Sequence, residues 1–192
     1  RYILLDTLTL NSYLHQKSLY GRLGKPTWKV KLYGGFNHQV VWGSEQEYYL
    51  EDYTLNQWET FYYVVTGKRF TNGYIKDERQ GNHLGSIDLG VEFKMSGLKF
   101  TFYRQSPYEV GGLAHLANLQ DGLNGLSIEN LRQDGGNVVW HRFLIEFLYT
   151  KNQAGKPWSP EYGSQYEPYY NHGQYLAGWS YDETGLGTPF IS

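Results

Sequence analysis

The stretch from Gly85 to Gln105 constrains the fold more than any other part of the chain. Ile87, Leu89, Val91, Phe93 and Met95 alternate with Asp88, Gly90, Glu92 and Lys94. After Ser96-Gly97 the alternation restarts, with Leu98, Phe100 and Phe102 against Lys99, Thr101 and Tyr103. A period of two puts each set on one face of a strand. The joint is too short for anything but an antiparallel hairpin. One face of that hairpin is large and apolar. The other carries charges and small polar groups. What covers the apolar face decides the class of protein.

The pattern recurs along the chain. Residues 2–16 predict a strand, with Leu8, Leu10 and Leu14 opposite Thr7, Thr9, Asn11 and Tyr13. Gly21 to Thr27 reads as a turn. Residues 28–43 alternate Trp28, Val30, Leu32, Phe36, Val40 and Trp42 with Lys29, Lys31, Tyr33, Asn37 and Gln39. A weaker strand is predicted over 123–131. A strong one follows over 138–151, with Phe143, Ile145, Phe147 and Tyr149 against Arg142, Glu146 and Thr150. Residues 44–82, 106–122 and 152–192 break the pattern. The first of these excursions predicts a helix near 56–66, with Asn56 as N-cap, Glu59 as its capping-box partner and Gly67 as the stop.

Short turns near 21–27, 96–97 and 132–137 alternate with the three long excursions. Short connections at one end and long ones at the other are the layout of an outer-membrane barrel. The strands exceed the ~5–6 residues typical of soluble sheets. They meet the roughly 9–11 residues needed to cross a bilayer at a tilt. A soluble sandwich or lipocalin-like barrel explains the alternation equally well. It accounts less well for Asp88, Glu92, Lys94, Arg142 and Glu146 on the second face, which suit a wet lumen. The expected fold is therefore all-β, an antiparallel up-and-down outer-membrane β-barrel. About six strands fall short of the roughly eight in the smallest membrane barrels. The whole chain is expected to be one arc of a single barrel domain, with strands missing at both ends.

Composition narrows the function classes. The 192 residues carry a net charge of −2, so no basic field points to nucleic acid. There are no cysteines. No apolar run approaches the roughly 20 residues of a spanning helix. The negative mean hydropathy does not weigh against a barrel, whose strands alternate lipid-facing and lumen-facing residues.

Several stretches carry a resemblance. They are Leu14-His15-Gln16-Lys17-Ser18-Leu19-Tyr20-Gly21-Arg22, Gly35-Phe36-Asn37-His38-Gln39-Val40-Val41-Trp42-Gly43 and Leu84-Gly85-Ser86-Ile87-Asp88-Leu89-Gly90. Phe102-Tyr103-Arg104-Gln105, Asp121-Gly122-Leu123-Asn124-Gly125 and Glu146-Phe147-Leu148-Tyr149-Thr150-Lys151-Asn152-Gln153 follow in order. Tyr170-Asn171-His172-Gly173-Gln174-Tyr175 and Gly185-Leu186-Gly187-Thr188-Pro189-Phe190-Ile191 close the series. Together they resemble the Wzi-like capsule assembly family of outer-membrane proteins, in the form found in Bacteroidetes. The resemblance implies a large barrel with extracellular helices obstructing its lumen. It also implies a non-enzymatic, lectin-like role: attaching or organising capsular polysaccharide at the cell surface. Outer-membrane lipid and other outer-membrane proteins are the remaining partners expected. An accessory or structural barrel of a larger complex is the alternative, and a diffusion channel a third.

The candidate residues divide by location. Trp58, Tyr62, Trp158, Tyr166, Tyr170 and Trp179 lie in the excursions, beside amides and acids. Their rings can stack on the apolar face of a sugar while their polar handles bond its rim. Packing of the loops against each other uses the same chemistry. Trp28 and Trp42, at opposite ends of one apolar face, suit an interfacial girdle. Inward Glu92 and Glu146 could form a glycosidase pair, but mutual neutralisation with Lys94, Lys99 and Arg142 is the simpler role. The six histidines show no metal spacing. His172 suits a loop tie, and His38 and His141 fall on apolar faces. No cofactor motif is present.

Overall fold

The computed structural model describes residues 12–43, 45, 53–72, 75–109, 116–132, 140–154, 167–169, 172, 175, 179–181 and 184–185. Its centre is a six-stranded sheet of β1 (Tyr13–Leu23), β2 (Val30–Trp42), β5 (Asn82–Met95), β6 (Leu98–Tyr108), β7 (Gly122–Asn130) and β8 (Arg142–Tyr149). The strands stand in that order across the sheet. Pairings β5–β6, β6–β7 and β7–β8 are antiparallel. Short hairpins β3 (Arg69–Asn72) with β4 (Ile75–Arg79), and β9 (Ser180–Tyr181) with β10 (Thr184–Gly185), complete the β-structure. The described residues are thus mostly antiparallel β, with one short helix, α1 (Gln57–Thr66). That helix is too short to cross a membrane, which says nothing about crossing by strands.

The β5–β6 hairpin forms on the expected register, closing at Met95↔Leu98. Ser96 and Gly97 both take positive φ, 51° and 78°, the backbone of the two-residue turn whose twist matches the strands. The expected strand over 2–16 falls partly on residues outside those described. Its visible part, β1, runs on to Leu23, through the Gly21-Arg22 pair that was expected to turn. Glycine permits a turn without requiring one, and pairing with β2 prevails here. The hairpin β3–β4 was not anticipated, because its strands are too short to show a period.

The chain divides into two compact units, one of residues 1–17, 38–84 and 168–192, the other of 18–37 and 85–167. In the second unit the strand registers sort every side chain to one of two faces. Phe93, Phe100, Ile128 and Phe143 form one row across four strands. Val91, Phe102, Leu126 and Ile145 form the next. The opposite face carries Asp88, Glu92, Lys94, Lys99, Glu129, Arg142 and Glu146, so the five polar residues singled out from the sequence share one face.

Tyrosines brace this sheet over glycines. The Tyr20 ring on β1 lies where a Cβ of Gly35 on β2 would stand, and its hydroxyl donates 2.8 Å to Asp88 on β5. Tyr103 on β6 crosses Gly125 on β7 and donates to Glu146 on β8. On the apolar face Tyr108 of β6 crosses Gly85 of β5 and stacks on Phe36 of β2, centroids 6.2 Å apart. Each ring covers a bare glycine and reaches the strand beyond it. Gly125→Ala is expected to push the Tyr103 ring aside and destabilise the sheet by about 1–3 kcal/mol. Adding Tyr103→Phe should then cost almost nothing more, since the same hydrogen bond is already lost. Additive losses in urea unfolding would reject the strut.

In the first unit, α1 starts as the sequence predicts. Asn56 Oδ1 accepts from the backbone of Trp58 (2.9 Å) and Glu59 (3.0 Å), and Glu59 accepts from Asn56 N at 2.9 Å. Gly67, in the left-handed conformation at φ 65°, ends it. Val64 packs with Val40 and Trp42 of β2. Phe61 meets Trp42 at 5.5 Å and His15 edge-on at 5.7 Å. Trp42 is thereby buried, also against Tyr13 at 5.2 Å. It is not the exposed girdle residue its place in the alternation suggested. The last excursion takes the other side: Tyr169 and Trp179 pack on Leu84, with Val41 alongside. Tyr175 donates to the buried Glu45 at 2.8 Å, joining the first excursion to the last. His172 Nδ1 accepts from Tyr175 N at 3.3 Å, the loop tie expected of it.

Candidate functional site

The polar face of the second unit is a network of opposite charges. Lys31 Nζ stands 2.9 Å from Glu92 Oε1, and Tyr33 donates to Glu92 Oε2 at 2.7 Å. Glu129 receives Lys99 and Arg142, each at 2.6 Å. Glu146 is held by Tyr103, and Arg22 sits 5.9 Å over the Tyr33 ring. Asp88, Glu92, Glu129 and Glu146, the acids of this face among the described residues, each have a cation or a phenol on them. Glu92 and Glu146 belong to different parts of this network, on β5 and β8, and each is tied by its own tyrosine. The cations expected to neutralise these two acids stand elsewhere: Lys99 and Arg142 pair with Glu129, while Glu92 takes Lys31 and Glu146 takes a phenol.

Both faces of this unit are largely open: Lys94, Arg142 and Glu146 are exposed on the polar face, and the apolar rows opposite them are uncovered as well. Glu92 is 8 % exposed and Lys31 is buried with it, while Leu89 is 60 % and Phe147 63 % exposed. None of Ile87, Leu89, Val91, Phe93, Phe100, Phe102, Phe143, Ile145 or Phe147 is buried. A depression of about 870 Å³ over the middle of the sheet is lined from both registers, Leu32, Leu89, Phe102, Tyr33 and Tyr103 among them.

The second feature lies on α1. A cleft of about 670 Å³ is lined by Leu55, Asn56, Gln57, Trp58, Glu59, Tyr62 and Tyr63. Trp58 is 81 % exposed and Tyr62 about half exposed. They stand four residues apart, so both project from one side of the helix, about 5–6 Å apart at their bases. Beneath them the helix is anchored: Thr60 Oγ1 lies 2.7 Å from the Tyr53 hydroxyl, and Lys17 donates to Val65 O at 2.8 Å. Burial pushes the Tyr53 phenol well above its ordinary value, so it stays neutral. Lys68 donates to the Tyr62 hydroxyl at 2.6 Å and lies 5.0 Å from its ring centre.

Of the aromatic residues picked from the sequence, Trp58 and Tyr62 meet at this cleft. Trp179 is buried against Leu84, where it packs the loop. Trp158, Tyr166 and Tyr170 lie outside the described residues. Lys68 was missed; a lysine just past the Gly67 helix stop was the available signal. No protein-family model, curated protein or solved structure matches this chain.

Proposed function

We propose that this chain is an arc of the wall of an outer-membrane β-barrel that holds capsular polysaccharide at the cell surface. The uncovered apolar rows, beside a buried Lys31–Glu92 pair on the other face, carry the membrane half of this reading. Leaving that much apolar surface in water forfeits about 25 cal/mol per Å², and desolvating Lys31 and Glu92 costs several kcal/mol per ion before pairing offsets it. A soluble sheet gains nothing from that arrangement. A sheet with lipid on one face and a polar lumen on the other gains from both. The sequence resemblance and the α1 cleft support the glycan half. Two exposed rings, flanked by the Asn56 and Gln57 amides and the Glu59 carboxylate, match a sugar's apolar face and hydroxyl rim. Nothing in the reading calls for bond cleavage.

Replacing Trp58 and Tyr62 together with Ala is expected to release capsule into the medium, with the barrel's amount in the outer membrane unchanged. Capsule retained at the wild-type level would remove the cleft from the reading. Capsule retained after deletion of the whole gene would favour the accessory-barrel role instead.

A further inference from the structure

We infer that the α1 cleft selects an acidic polysaccharide, with Lys68 receiving the carboxylate of a uronic acid stacked on Tyr62. This rests on the glycan reading above and names its substrate class. The rings of Trp58 and Tyr62 are one helical turn apart, a spacing suited to successive sugars of an extended strand. At the Tyr62 end stands an ammonium group already placed beside the ring. Among the described residues no carboxylate pairs with it; its polar partner is the Tyr62 hydroxyl. A sugar lying flat on Tyr62 would bring an equatorial carboxylate at its rim to that ammonium. The group is exposed and charged at neutral pH as any lysine is, and the hydrogen bond to Tyr62 holds its pKa above the ordinary value.

The one acid of the cleft does not oppose this. Glu59 sits at the other end, turned back onto the Asn56 amide in the first turn of α1, where the helix dipole favours negative charge. That end is left to hydroxyl groups. The rim also argues against a lipid occupant. Exposed aromatics beside a lysine suit a membrane interface too, but seating Trp58 in acyl chains would draw the Gln57 amide and the Glu59 carboxylate out of water with it, and the Asn56 amide offsets only part of the cost of that charge.

The test uses polygalacturonate and its methyl ester, the same backbone with and without charge. The full-length protein in detergent is titrated with each, alongside Lys68→Gln, Lys68→Arg and Trp58→Ala variants. Wild type should bind the acid form at least 10-fold more tightly. Lys68→Gln should bring the acid down to the ester's affinity, Lys68→Arg should restore most of the preference, and Trp58→Ala should weaken both ligands. Equal wild-type affinity for the two forms would overturn the inference and leave the glycan reading standing. Binding of neither form by any variant would overturn both. Binding instead to anionic phospholipid vesicles, lost on Trp58→Ala, would assign the cleft to the membrane surface.

Discussion

Lys31→Met should destabilise the protein by about 3–5 kcal/mol, the cost of breaking a buried ion pair from one side. Glu92 is buried and would keep only the Tyr33 hydroxyl, at 2.7 Å. Its carboxylate would then hold a charge with one hydrogen bond in place of an ammonium. The double variant Lys31→Met with Glu92→Gln should recover most of the loss. It removes both charges and leaves an amide oxygen for Tyr33. Lys99→Met is the control. Glu129 lies nearer the surface and retains Arg142 at 2.6 Å, so about 1 kcal/mol or less is expected. Urea unfolding in detergent, read by the gel shift between folded and unfolded barrel, would rank the three. A Lys31→Met cost as small as that of Lys99→Met would mean that water reaches the pair freely, and that burial is not what it experiences.

The six-stranded sheet and its two faces were legible because alternation is a local signal. The hairpin 85–105, with its turn at Ser96-Gly97, follows from nearest neighbours alone. So does α1, since Asn56, Glu59 and Gly67 specify its ends without reference to anything distant. What α1 packs against was not legible. Val40 and Trp42 look the same in sequence whether lipid or a helix covers them, and Phe61 gives no sign that it will seat on Trp42. The same limit applies to Trp179. An aromatic in a long excursion can bind sugar or pack on Leu84, and only the distant partner decides. The tyrosine struts were missed for a related reason. Tyr103, Gly125 and Glu146 are spread over three strands, and their meeting depends on a register that no single strand encodes.

Ile145→Arg should cost about 2–4 kcal/mol, the value for a charge near a bilayer midplane. Ile145 shares a row with Leu126, Phe102 and Val91, and Phe143 and Phe147 flank it on the same face of β8. It is therefore the centre of the apolar surface on that strand. Phe143→Arg, one step nearer the 96–97 turn, should cost an intermediate amount. Tyr149→Arg, at the far end of β8, should cost about 0–1 kcal/mol, as expected near an interface. The gradient is what distinguishes lipid from water. Ile145 is 53 % exposed in the isolated chain, and Phe143 and Phe147 are similarly open. On a soluble protein such positions accept a charge within about 0.5 kcal/mol, and the three variants would look alike. Nor can a missing soluble layer over this face imitate the result. Covering it with protein would penalise Arg according to local packing, with no dependence on distance from the strand centre. Folding titrations into lipid vesicles of each variant read the profile directly. A flat series, or one whose maximum falls at Tyr149, would rule out a lipid-facing wall and, with it, the surface at which the α1 cleft is proposed to hold its glycan.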